Sequence, residues 1–226
     1  MGAFRSMLTD GIPLVVYTAR EEKLNTLTHA AGALLALGAL AACLADASAP
    51  GRPRDWASAL VYGLSLVTMF GASALYHGLP GGRWKKITRV IDYSMIFLLI
   101  AGTATPCALI GLYDRSPGTA WFVLAVAWGC AAAGILSTVL FFEKTKALRI
   151  VLYLGEGVVM FSSVFPILDL IDLKALLLLI AGGLLQAFGL IFLRLGKTVE
   201  FAHMVFHLVV IAGCSVHFYV MIRYLF

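Results

Sequence analysis

Charge is what this sequence has least of. Only 13 % of its 226 residues are Asp, Glu, Lys or Arg, whereas 61 % are apolar and the mean hydropathy is +0.94. An average soluble domain is roughly a quarter charged, and a globule of this size must still meet water with a polar surface. A soluble fold is the poor reading, and lipid must replace much of the solvent. Cysteine is scarce as well. Cys43, Cys107, Cys130 and Cys214 all lie in apolar stretches and none stands in a CxxC or other short ligand spacing, which argues against a disulfide framework. No basic run is interleaved with aromatics, so the net charge of +5 points to topology signals and anionic headgroups rather than to nucleic acid. The N-terminus also lacks the long apolar core and small-residue cleavage site of a signal peptide, and is expected to stay in the mature chain.

What is present is a series of long apolar runs. A spanning helix needs about 20 mainly apolar residues, and seven runs approach or exceed that length: Thr26 to Ala45, Trp56 to His77, Tyr93 to Tyr113, Ser116 to Phe142, Ile150 to Leu168 with Glu156 inside it, Ala175 to Leu193, and Phe201 to Ile222. The third helix is expected to begin earlier, near Ile87. The linkers are short and rich in Pro, Gly and charge, leaving no room for a soluble domain. The expected fold is therefore all-α, a seven-transmembrane-helix bundle. Residues 26–226 form one membrane domain, and residues 1–25 a cytoplasmic segment in which Ile12 to Leu24 reads as a short interfacial helix.

Basic residues set the orientation. Arg5, Arg20 and Lys23 precede the first helix. Arg83, Lys85, Lys86 and Arg89 follow the second, Lys144, Lys146 and Arg149 the fourth, and Arg194 and Lys197 the sixth, twelve in all. The opposite side holds five: Arg52, Arg54, Arg115, Lys174 and Arg223. This places the N-terminus in the cytoplasm and the C-terminus outside.

Ionisable residues inside a span are expensive and mark function by default. With that orientation His77, Asp92, His203 and His207 fall at one depth. His203 and His207, an i, i+4 pair about 6 Å apart in rise, share a helical face and can reach one ion. His77 completes three imidazoles with a position left open, the pattern of a catalytic rather than a structural zinc. Asp92 is placed to orient the site or to hold a proton, with a salt bridge to Arg89 or Lys86 as its plain alternative. Ser73, four residues before His77, points the same way, although a lone Ser in such a helix usually bonds back to its own backbone. His29 reads as an interfacial or hydrogen-bonded side chain. His217 is about 15 Å beyond His207 and reads as a packing or pathway residue. Glu156 is balanced between the same polar cavity and an ordinary buried hydrogen bond.

SALYH from Ser73 to His77, RVIDYSMIFLLIAGTATP from Arg89 to Pro106, HMVFHLVVIAGCSVHF from His203 to Phe218 and NTLTHAAG from Asn25 to Gly32 are familiar in combination. The chain resembles the hemolysin III group of the progestin and adipoQ receptor family, which is related to the alkaline ceramidases. The resemblance spans essentially all seven helices. It implies a seven-helix bundle with a cytoplasmic N-terminus and zinc held by His77, His203 and His207, with Ser73 and Asp92 flanking the zinc-bound water. The pattern departs at Glu156, Gly157 and Val158, where bacterial members lead one to expect an apolar residue, Gly and Trp.

The leading expectation is a zinc-dependent membrane hydrolase, with Zn2+ as cofactor, acting on a lipid amide or ester such as a ceramide-like substrate. It would serve lipid homeostasis in the plasma (inner) membrane. The alternatives are a zinc-stabilised sensor or receptor without turnover, and a hemolysin-like cytolytic protein. Membrane lipids are the expected partners and nucleic acid is not. Gly182, Gly183 and Gly189 suit close helix contact within or between chains, which leaves a homo-oligomer open.

Overall fold

The computed structural model describes residues 11–48, 51–162 and 165–226; the N-terminal ten, Arg5 among them, lie outside the described residues. Among the described residues seven α-helices carry the fold: α1 (Ala19–Ser48), α2 (Pro53–Gly78), α3 (Arg83–Pro106), α4 (Pro117–Phe141), α5 (Lys146–Ser162), α6 (Leu173–Leu195) and α7 (Ala202–Val220). There is no strand among the described residues. Six of the helices are long and apolar enough to cross a membrane, counting the wider turns that extend α3 through Cys107–Leu112 and α7 through Met221–Leu225.

Local chemistry sets the helix starts. At α1, the Thr18 hydroxyl accepts from the Glu21 amide at 3.2 Å while Glu21 Oε2 accepts from the Thr18 amide at 2.9 Å, a reciprocal capping box. Residues 12 to 18 are irregular, so the interfacial helix expected over Ile12 to Leu24 is absent: the capping box starts a helix at Ala19 that continues into the first span. Pro53 and Pro117 open α2 and α4 where their missing N–H costs nothing. Asp172 caps α6 by accepting from the Ala175 amide at 3.0 Å.

The fifth helix is shorter than its apolar run. It ends at Ser162, and Phe165–Leu170 forms a 3-10 turn. Pro166 has no N–H to continue the ladder and disfavours helical backbone before it, which accounts for the early stop. Ser163 and Val164 of that run lie outside the described residues.

Packing inverts the soluble pattern. On α1, buried Asn25, His29, Gly32, Ala36, Ala39, Cys43 and Ala47 recur every three or four residues, while Leu34, Leu35 and Leu37 face outward. On α4 the inner face is Ala120, Val123, Ala127, Ala131, Gly134 and Thr138, and Trp121, Phe122, Leu140 and Phe141 point out. Small residues inside let backbones approach, and large apolar ones outside meet acyl chains. Consecutive helices pack side by side, and α7 returns against α1 to close the ring. Gly182 and Gly189 are spent within the chain. A Cβ on Gly182 would strike the His217 ring, and one on Gly189 would lie 3.3 Å from Phe206 and Val209, all on α7.

Candidate metal centre

The end of α2 and the starts of α1, α3 and α7 meet at one end of the bundle. His77 lies in the last turn of α2, and His203 and His207 in the first two turns of α7. The approach to α7 is tight: a Cβ on Gly196 would come 2.8 Å from the His203 Cβ, and Phe201 caps the helix in left-handed backbone at φ 61°. Glu21 steadies that turn by accepting from the Phe201 amide at 3.0 Å.

The three imidazoles are buried and converge through their Nε2 atoms. His203 Nε2 is 3.1 Å from His77 Nε2 and 3.1 Å from His207 Nε2. One nitrogen from each ring falls within 4.8 Å of the others, a spacing one ion can bridge.

Hydrogen bonds at the far side of two rings fix their tautomers. His77 Nδ1 is 2.7 Å from Glu22 Oε2, and a carboxylate can only accept, so Nδ1 carries the proton. His207 Nδ1 is 3.0 Å from Thr28 Oγ1, whose own proton goes to the Leu24 and Asn25 carbonyls at 2.9 and 3.0 Å. Nδ1 of His207 therefore donates too. Both Nε2 atoms present lone pairs toward His203 Nε2, which has at most one proton to share between them, whereas a cation at that point satisfies all three. The residues present fit a divalent ion that favours imidazole.

Glu22 does more than orient His77. Its Oε1 accepts from Lys85 Nζ at 2.6 Å, and the same ammonium donates to the Leu79 and His77 carbonyls at 2.9 and 3.3 Å. Lys85 thus caps the end of α2 from inside the protein, rather than serving as the surface topology charge its sequence position suggests. Tyr17 lies over His203 with ring centroids 5.1 Å apart and planes 26° apart, and burial pushes its hydroxyl far above the usual phenol range. It stays a neutral cover.

Ser73 is buried one turn before His77, and its hydroxyl hydrogen-bonds to the Asp92 carboxyl. Among the described residues Asp92 forms no salt bridge with Arg89. His29 is not interfacial: it is buried, stacks on His207 with centroids 3.5 Å apart, and neither of its nitrogens has a hydrogen-bond partner. His217 packs α7 on α6 by donating from Nε2 to the Leu179 carbonyl at 3.0 Å. Glu156 is buried beside Cys130 of α4 with both oxygens unpartnered.

Sequence reasoning missed Glu22, Thr28, Lys85 and Tyr17. The one available signal was Glu21 and Glu22 standing adjacent at the start of a span in a chain nearly devoid of charge.

Fold and site together define a multi-pass helical membrane protein with a buried three-histidine centre able to hold a metal. Residues 17–218 match the haemolysin-III-related family, and the chain belongs to it. It is 31 % identical to Hemolysin-3 of Bacillus cereus over 96 % of this chain and 97 % of that one. With the Hemolysin-3 homolog of Bacillus subtilis (strain 168) it shares 32 % over 92 % and 96 %. With the human monocyte to macrophage differentiation factor it shares 28 % over 75 % and 71 %, which extends the kinship to the progestin and adipoQ receptors. No solved structure matches significantly.

Proposed function

We propose that the protein is a zinc-dependent hydrolase of a lipid amide or ester, embedded in the plasma membrane with its metal end toward the cytoplasm. The observation that carries this reading is the ligand set: three neutral imidazoles with no thiolate, near a carboxyl–hydroxyl pair that lies outside the three-histidine cluster. Closed structural sites recruit thiolates, whereas open His sets suit catalysis. When bound, zinc supplies Lewis acidity that polarises a carbonyl and acidifies water. The protein's own residues do the rest. Glu22 and Thr28 hold His77 and His207 in the ligating tautomer, Asp92 takes up the proton released as water adds to the carbonyl, and Ser73 holds Asp92 in position. Tyr17 covers His203.

Asp92→Asn keeps size and one accepting oxygen while removing basicity. Zinc content should stay near one per chain while hydrolysis of a ceramide-like amide or an ester lipid falls on the order of 10²-fold or more. His203→Ala with His207→Ala should abolish metal retention. Unchanged hydrolysis in the Asn variant would remove the proton role, and full metal occupancy in the double variant would remove the site.

A second reading has its own support. The ligands lie on α2 and α7 and are tied to α1 and α3 through Glu22 and Lys85, so a metal here would staple four helices and bias a two-state sensor without turnover. Absence of hydrolysis in metal-loaded wild type across amide and ester lipids would favour it. Hemolysis belongs to the names of the bacterial relatives, and leakage of dye-loaded vesicles measures it for this chain.

A further inference from the structure

A recess of about 390 Å³ lies at the end of the bundle opposite the metal centre, with Arg52, Asp114, Arg115 and Tyr224 in its lining. Two wide turns frame it, Cys107–Leu112 after α3 and Met221–Leu225 after α7. They pack so closely that a Cβ on Gly111 would lie 3.2 Å from Leu225. Turns of this kind are rare and recur at functional sites.

The charges at this end do not cancel. Arg52 Nη2 is 2.8 Å from Asp55 Oδ2, and Arg54 is bonded to both Asp114 oxygens. Arg115 is exposed and has neither acid as a partner. Its Nη1 donates to the Gly111 carbonyl at 2.6 Å, and no salt bridge among the described residues involves it. With Arg54 bonded to it and Arg52 and Arg115 nearby, the Asp114 carboxyl is held below its usual range, so three guanidiniums act on one ionised carboxylate. Those three against Asp55 and Asp114 leave one positive charge over. Asp46 near the end of α1 and Arg223 beside Tyr224 lie outside the lining and leave that balance unchanged.

The geometry points to a site for the phosphate of an anionic lipid headgroup, held by Arg115 together with Arg52, at the end of the bundle away from the metal. Guanidinium N–H groups match phosphate oxygens in charge and in shape, and the Tyr224 phenol in the lining adds a donor. The level is that of the headgroups, where Trp and Tyr gather. Trp56 in the first turn of α2 and Trp121 at the start of α4 are 48 % and 58 % exposed, Tyr113 stands edge-on to Trp121, and Tyr219 near the end of α7 faces outward. Ile110 and Leu225 give the recess an apolar side against which the ester end of a lipid packs. An anion reaching this level arrives on a lipid rather than free. The site is separate from the metal centre and binds whether or not that centre turns anything over.

The test uses full-length protein purified in a neutral detergent and measures lipid affinity at about 0.15 M salt, where distant surface charges are screened over roughly 8 Å. The probes are phosphatidylglycerol, phosphatidylcholine and inorganic phosphate. Wild type should bind phosphatidylglycerol about fivefold or more tighter than phosphatidylcholine, a little below the scale of one charged hydrogen bond because the recess is open to water. Arg115→Gln should lose most of that preference, Arg115→Lys should keep part of it, and Lys197→Gln, on the metal side, should keep all. Asp114→Asn removes the competing carboxylate and should raise the preference. Binding of inorganic phosphate that depends on Arg115, with no lipid preference, overturns the lipid assignment. Equal affinity for the two lipids in wild type, a preference that survives Arg115→Gln, or one lowered by Asp114→Asn overturns the site. Among the described residues the Arg115 side chain is bonded only to the Gly111 carbonyl, so Arg115→Gln should fold. Melting verifies it; should it fail, Arg115→Lys and Asp114→Asn decide by the same comparison.

Discussion

Glu21 and Glu22 are adjacent in sequence and do separate work. Both Glu22 oxygens face donors, His77 Nδ1 and Lys85 Nζ, so a Gln there must turn its amide nitrogen toward one of them. Loss of such an outer partner costs about 10- to 100-fold in metal affinity, and Glu22→Gln should weaken zinc retention by that much in a competition titration with a chelator. Glu21 faces Thr18 and the Phe201 amide instead. Glu21→Gln should lower the melting temperature and leave zinc affinity within about twofold, since it touches no ligand. Equal zinc loss in both would show that Glu22 acts only through the helix start. The histidines were legible because imidazole is rare here and an i, i+4 pair has one geometric meaning. Glu22 was not, because its partner is 55 residues away and only the return of α2 brings it near.

Periodicity carries the elements. Small residues every three or four positions mark the inner faces of α1 and α4, and the apolar runs mark the helices to within a few residues except at the starts of α1 and α3 and the end of α5; the charged first turns of α3, from Arg83, precede its apolar run. The Thr18 capping box moved the start of α1 back to Ala19, and the proline at 166 cut α5 short. Apolar composition is blind to both. The same faces distinguish two glycines of α4. A Cβ on Gly134 would collide with the Phe97 ring, which is fully buried against Tyr153 and has no room to retreat, whereas a Cβ on Gly129 meets nothing within 4 Å. Gly134→Ala should destabilise the protein by about 1–3 kcal/mol through overpacking. Gly129→Ala should be neutral or stabilising by up to about 1 kcal/mol, because alanine is the better helix former. Thermal unfolding of the two variants in one detergent reads the contrast, and equal melting temperatures would mean that α3 and α4 do not pack as described.

The number of crossings is a property of the whole chain, and α5 puts it in question. Seventeen residues rise only about 26 Å against a hydrocarbon core of about 30 Å. The ends of the other helices constrain the answer. Glu22, His77, Lys85 and His203 bring the start of α1, the end of α2 and the starts of α3 and α7 to one face. At that face too, the end of α6 meets the start of α7, where Gly196 abuts His203. At the opposite face Arg54 at the start of α2 is bound to Asp114, beyond the end of α3, and Leu176 near the start of α6 shares a core with Leu112 and Ala120. We infer that the chain passes from the metal end to the far end between α4 and α6 through α5 and the 3-10 turn that follows it, which would make a seventh crossing. The charge bias survives the finding that Lys85, Arg89 and Arg149 are buried, since without them eight described basic residues still stand on the metal side against five opposite. An odd number of crossings puts the two termini on opposite sides of the membrane. A reporter active only in the cytoplasm should give signal when fused before Met1 and be silent after Phe226, and one active only outside should do the reverse. Cytoplasmic signal at both ends would mean that α5 turns back inside the membrane, and would place His203 on the side away from His77, which the 3.1 Å between their Nε2 atoms forbids.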